Sequence, residues 1–309
     1  MQPEPTDHRR RFAEEARAER PDLATLCLLV AAEADPASGD SGLDAAQAEL
    51  DRLAGLLPFG ITGPAAWAAA VADLLGTRCG FHGSAADYQR LESSLLPAVL
   101  RRRRGLPILL SVVWIEVARR AGAPVYGVAL PGHFVVGFGV GAGGGSGTGG
   151  GSGAESGGGS GTVAGSGAGT GAGSGERVLV DPFAGGRLLT GADAELLVSG
   201  TTGANLEPAM LAPADPLDTV LRVLNNIRAW AETRPERSDV ALWAVELSLL
   251  LPSHPARLRY ERAELLVRRG EFLHGATELE EYAEVVEAVD PSMAEAVRRR
   301  ARAARARLN

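Results

Sequence analysis

The run Pro107–Arg120 reads PILLSVVWIEVARR, and Ile108, Leu109, Leu110, Val112, Val113, Trp114, Ile115 and Val117 fall on nearly every side of a 3.6-residue repeat. A helix that is apolar all round has to be wrapped by other elements, so the rest of the chain must supply a shell for it. Pro107 suits the first turn, where its missing N–H has no helical partner to lose. Gly122 can take the left-handed conformation that ends the helix. With 309 residues, 45 % of them hydrophobic, the chain is long enough to bury such a helix in one large domain or two modest ones.

The shell can be read from periodicity. Apolar spacing predicts helices over 23–34, 43–57 and 67–75, a turn-rich segment at Cys79-Gly80-Phe81-His82-Gly83, and a packed helix over 87–102. After Gly122, residues 124–130, 134–138 and 178–180 read as strands. Residues 1–20 are highly charged and are expected to be disordered or frayed. Between 139 and 175 the sequence is almost entirely Gly, Ser, Ala and Thr, holding half of the chain's 40 glycines. That composition cannot offset the entropy of ordering, so a disordered spacer loop is expected there.

Beyond Pro213 helical segments return at 217–230, 240–251, 256–268, 272–289 and 293–308, punctuated by Pro252, Pro255, Gly270 and Pro291. Two of these hairpins resemble tetratricopeptide helix pairs, through Leu242, Ala244, Leu247 and Pro252 and then Ala263, Gly270, Phe272, Ala276 and Leu279. The expected organisation is a frayed segment 1–20, a core domain 21–212 carrying the insertion 139–175, and a helical region 213–309. The helical region is as consistent with an interaction module as with a buttress for the core.

Charge and motif content exclude several classes. A net charge of -7 and a pI near 5.4 disfavour general binding to nucleic acid or anionic membrane. The longest apolar stretches fall well short of the roughly 20 residues of a membrane span. No secretion signal is read at the start, and two cysteines, Cys27 and Cys79, suit free thiols in a cytoplasmic protein. His82, His133, His254 and His274 are far apart, no cysteine pair has ligand spacing and no HExxH run occurs, so neither a metal nor a cofactor is expected. The run Arg101 to Arg104, just before the central helix, reads either as a solvated turn or as a holder for an anion at that helix's positive end. The basic terminal helix, Arg298 to Arg307, reads as solvated charge or as a face for an acidic partner.

Two residues could carry chemistry together. If 134–138 and 177–180 pair antiparallel with Phe134 opposite Val180, His133 stands opposite Asp181, with Cβ atoms about 5 Å apart. Asp181 could then accept the Nδ1 proton of His133 and orient the ring, as in a Cys-His-Asp triad. The plainer alternative is a histidine capping a strand and an aspartate opening the turn Asp181-Pro182-Phe183.

These residues also carry a family resemblance. Phe81-His82-Gly83 through Tyr88, Arg103-Arg104-Gly105-Leu106-Pro107-Ile108-Leu109-Leu110-Ser111, Ala118 to Pro124, Leu130-Pro131-Gly132-His133-Phe134 and Val180-Asp181-Pro182-Phe183, in this order, resemble the bacterial SirB-type family. The match extends over roughly 20 to 290, apart from the glycine-rich insertion. It implies an α+β, papain/transglutaminase-like core, a buried helix against a small antiparallel sheet, flanked by N-terminal helices and a C-terminal helical-hairpin region. It also implies that His133 and Asp181 occupy the histidine and aspartate positions of that superfamily. The same comparison puts Pro107 or Ile108 where the superfamily has its nucleophilic cysteine, and neither side chain can attack a carbonyl. Ser93, or Glu92, stands where the SirB-type branch tends to place asparagine.

Cys79, which precedes His133 and Asp181 in chain order, and Ser111, one helical turn after Pro107, are the alternative nucleophiles; Cys27 reads as core. The resulting expectation is a non-catalytic, regulatory or adaptor protein that keeps a His-Asp remnant and binds a protein partner through its C-terminal helices. The competing expectation is an amide hydrolase or acyl transferase using Cys79 or Ser111 with His133 and Asp181.

Overall fold

The computed structural model describes residues 6–36, 39–139 and 177–308. At its centre lies α6 (Pro107–Arg120), buried from Pro107 to Ala118 as its all-round apolar pattern requires. Around it stand α2 (Leu23–Ala34), α3 (Gly39–Ala54), α4 (Pro64–Val71), α5 (Leu96–Arg102) and α8 (Pro216–Glu232). A four-stranded antiparallel sheet closes the remaining side, ordered β1 (Val125–Val128), β2 (Val135–Phe138), β3 (Val178–Asp181) and β4 (Arg187–Leu189). The other face of the sheet is covered by α7 (Gly191–Thr202), through Val128, Leu130, Val135, Leu179, Ala194 and Val198. With both faces covered, every residue of β2 is buried, which explains its continuous apolar run.

The sheet differs from the sequence expectation in register. Val136, not Phe134, lies opposite Val180, and Phe138 lies opposite Val178. The reason is the turn before β2: Gly132 takes φ 69°, and the N–H of His133 donates to the carbonyl of Leu130. The register against β3 is therefore displaced by two residues, while the strand itself starts at Val135, one residue later than the apolar pattern suggested. β4 and α7 had no counterpart in that pattern. The segment read as one helix over 87–102 is instead two 3-10 turns, Ala85–Gln89 and Leu91–Ser94, followed by α5.

Residues 7–15, expected to be frayed, form α1 (Asp7–Glu15), whose Phe12 is fully buried. Arg9 ties it to Glu33 of α2 and to Glu246 of α9 (Ser238–Leu250). The disorder expected over 139–175 falls, beyond Gly139, outside the described residues. The C-terminal region continues through α10 (Arg257–Arg268), α11 (Phe272–Glu287) and α12 (Pro291–Arg305). Apolar packing runs unbroken from the α6 core through Val220, Leu224, Ile227, Trp243 and Leu247 to Leu258 and Leu265 of α10. A second cluster, from Ala263 through Ala276, Leu279 and Tyr282 to Ala304, joins α10 to α11 and α12. No helix among the described residues is long and apolar enough to cross a membrane.

Candidate functional site

His133 and Asp181 meet at one end of the sheet. The imidazole donates through Nε2 to Asp181 Oδ1 at 3.1 Å, both residues being largely buried. They are not directly opposed: by extension of the observed register Val135 faces Asp181, which makes His133 its diagonal neighbour on the same face, a separation long side chains can span. Nε2, rather than the expected Nδ1, makes the contact, and Nδ1 has no hydrogen-bond partner among the described residues.

Asp181 has a second task. Its Oδ1 also accepts from the backbone N–H groups of Phe183, at 2.9 Å, and Ala184, at 3.4 Å, so the same carboxylate closes the Asp181-Pro182-Phe183 turn. Phe183 stands edge-on to His133 at 6.1 Å and to Tyr88 at 6.2 Å. Burial and the nearby charge of Asp181 push the Tyr88 phenol up. On the other side, Arg222 of α8 donates to the carbonyls of Leu130 and His133 and lies over the Phe134 ring. Burial lowers its pKa, and no carboxylate among the described residues offsets it.

The head of α6 carries no reactive side chain. Leu106 is the N-cap, with no side-chain cap, and Pro107 and Ile108 follow it into the core. Ser111, one turn on, is fully buried and donates its hydroxyl to the carbonyl of Phe134 at 3.2 Å, fastening helix to strand. Cys79 ends the π-helical stretch Ala72–Arg78, where its N–H donates to the carbonyl of Leu74. Neither Cys79 nor Ser111 has a hydrogen bond to His133 among the described residues. Cys27 is buried in α2, and burial pushes its thiol up. Among those same residues no group of three or more His, Cys, Asp or Glu side chains could hold a metal.

Sequence reasoning did not foresee the polar cluster that braces this helix head. Asp87, 2 % exposed, accepts from Ser84 N and Oγ, from Arg104 Nε and Nη2 and, at 3.4 Å each, from Ser93 Oγ and Arg102 Nη2. Burial alone would raise its carboxyl; the hydrogen bonds and charge of Arg104, with those of Ser84, hold it below the usual range. Arg103, in the left-handed conformation, reaches Glu49 and lies over Phe81. Arg102, Arg103 and Arg104 are thus committed internally, as neither reading of that basic run anticipated. The carbonyl of Ser93 receives the N–H of Leu106, so this cluster positions the N-cap of the central helix.

Two glycines make the brace possible. A Cβ on Gly83 would lie 2.0 Å from the Phe183 ring and 2.8 Å from the Gly105 carbonyl, and one on Gly105 would meet Val99 at 2.7 Å. Their side-chain-free approach was the signal in the sequence that a tight assembly, rather than a loose turn, precedes the helix.

A buried helix laid on an antiparallel sheet, a histidine before its second strand, an aspartate ending its third and a trailing set of helical hairpins define a transglutaminase-like protein with appended repeats. A model of the transglutaminase-like superfamily matches residues 43–225, more than half of the chain, and a tetratricopeptide repeat model matches 227–309. The chain belongs to the transglutaminase-like superfamily. Its relatives include the UPF0162 protein of Xylella fastidiosa, 29 % identical over 196 residues that cover 62 % of this chain and 58 % of the relative. The UPF0162 protein of Pseudomonas aeruginosa is 50 % identical over a short stretch of 44 residues, 14 % of this chain and 16 % of that one. These agree with the SirB-type resemblance. The F-box only protein 21 of Mus musculus is 22 % identical over 179 residues, 58 % of this chain and 24 % of the mouse protein. The chain thus spans less than two thirds of the length of the relatives it matches.

Proposed function

We propose that this is a non-catalytic transglutaminase-like protein of regulatory or adaptor type. In this reading His133 and Asp181 are a structural remnant, and the C-terminal helices engage a protein partner. What supports it is the head of α6, where Leu106, Pro107 and Ile108 offer only hydrocarbon, at the place the SirB-type resemblance assigns to the superfamily's nucleophile. Covalent acyl chemistry needs a thiolate or activated hydroxyl beside a base, and an alkyl group supplies no electron pair. Ser111 already gives its proton to the Phe134 carbonyl, and His133 gives its Nε2 proton to Asp181, whose oxygen also holds a turn.

The tetratricopeptide match supports the partner-binding half of the reading, since such repeats commonly mediate protein interactions. A cavity of about 690 Å³ between α9, α10 and α11, edged by Arg9 of α1, offers a concave, mixed-charge surface lined by Leu242, Glu246, Arg262, Glu278 and Tyr282. A half-buried free thiol at Cys79 accords with a reducing, cytoplasmic setting.

The test is turnover. Purified protein incubated with amide and ester substrates and amine acceptors is expected to give no hydrolysis or acyl transfer above background, with His133→Ala unchanged from that baseline. Robust turnover that disappears in His133→Ala would overturn the reading and return Cys79 and Ser111 to consideration.

A further inference from the structure

Beside the N-cap of α6 lies a cavity of about 230 Å³ where the 3-10 turns at 85–94 face α8, walled in part by Tyr88, whose ring also meets Phe183 of the His133–Asp181 site. Leu106, Ala229 and Trp230 give it apolar walls; Ser94, Asn226, Arg90 and Arg234 give it donors. Among the described residues its lining includes no aspartate or glutamate, in a chain whose net charge is -7.

Three of the polar groups are uncommitted. Ser94 is 2 % exposed as a residue, and its hydroxyl, at the cavity wall, has no hydrogen-bond partner among the described residues. The Asn226 amide and the Arg90 guanidinium also lack a partner among those residues. Arg234 donates to the carbonyls of Trp230 and Gln89 and to the Gln89 and Thr233 side chains, and it stacks 4.5 Å from the Trp230 ring centroid. All of its recorded acceptors are neutral, so its charge is positioned but not neutralised. The uncapped start of α6 at Leu106 adds the positive end of a buried helix dipole to the same region.

We propose that this cavity binds a small carboxylate carried on a short apolar stem. The two guanidiniums and the Ser94 and Asn226 donors would take the carboxylate oxygens, while Leu106, Ala229 and Trp230 would cover the stem. A fully hydrated inorganic anion would leave that apolar wall unused. At this size the cavity lies below the range of drug-sized ligand pockets, which suits one terminal group rather than a whole cofactor.

Two sources share the chemistry, a free short-chain acid and the carboxyl end of a polypeptide. The second has a path, because Ala229 and Arg234 also line a neighbouring cavity of about 530 Å³ between α8, α9 and α10. The proposal is independent of whether the protein turns over a substrate, so its failure and that of the non-catalytic reading are separately visible.

The experiment is a titration of the 309-residue chain followed by the NMR resonances of the Trp230 indole and Asn226 amide. The probes are butyrate, butyramide, acetyl-dialanine, acetyl-dialanine amide and inorganic phosphate. Saturable shifts are expected with one or both acids and not with the amides. Response to butyrate alone identifies a free acid as the natural source, and response to the peptide acid points to a chain terminus. Arg90→Gln and Ser94→Ala, each confirmed as folded by circular dichroism, are expected to weaken Kd on the order of tenfold, while Arg307→Gln leaves it unchanged. Equal binding of acids and amides, a response to phosphate alone, no response to any probe, or unchanged Kd in both cavity variants would each overturn the proposal.

Discussion

Asp181 shows how much one side chain can be asked to do. Its carboxylate holds a histidine and two backbone N–H groups at once, and removing it leaves those donors unpaired in a partly buried turn. Asp181→Ala is therefore expected to cost about 2–4 kcal/mol, and His133→Ala only about 1 kcal/mol, in urea unfolding midpoints. Equal losses would mean that the imidazole contact, not the turn, is the main term. At Gly83, where a Cβ would meet an aromatic ring and a carbonyl together, Gly83→Ala is expected to cost about 2–3 kcal/mol. Gly122→Ala, with φ 89° but open space around it, is expected to cost about 1–2 kcal/mol, from backbone strain alone. The His-Asp pair was legible in the sequence despite a register in error by two residues, because a shift of two returns a side chain to the same face. Asp87 was not legible: a single carboxylate in a short segment carries no periodic signal, and its arginine partners come from 15 and 17 residues away.

At the scale of elements, α6 and its helix start were readable because burial on all sides leaves an unmistakable composition. β4 and α7 were not, since β4 is only three residues long and α7 buries only Ala194 and Val198. The joints between elements are electrostatic as well as apolar. Hydrogen bonds from Arg52 and Arg103 hold the Glu49 carboxyl at about 2, clamping α3 to the segment before α6. Asp87 is likewise held low. For carboxylates whose folded pKa is depressed, the stabilisation is complete above the ordinary carboxylate range and is lost as pH falls toward the folded value. Stability should thus fall as pH drops from about 4.5 to about 2, and less steeply in Glu49→Gln, whose starting stability is lower. Guanidinium titrations at pH 6 and pH 3 measure the difference. A variant as acid-sensitive as the parent would remove this clamp from the account.

For the molecule as a whole, the proposed division at 212–213 describes chain order better than it describes packing. The main apolar cluster crosses it into α8 and α9, whereas α11 and α12 belong to the second cluster. A chain ending after residue 212 would leave α6 without Val220, Leu224 and Ile227, and it is expected to lose its near-ultraviolet circular dichroism. One ending after residue 270 is expected to keep it. If the shorter chain folds cooperatively, the core is more self-sufficient than its packing implies. The separate clusters could not be foreseen from helix spacing, which gives each helix a buried face without naming the neighbour that covers it. Where β2 leaves the sheet, Phe138 sits across from Val178, so two ends belonging to distant parts of the sequence emerge side by side. Anything whose own termini lie close together, as those of many domains do, fits between them without prising the strands apart. The scaffold thereby has a natural splice point, at which a reporter or a second binding module could be carried with both its ends anchored.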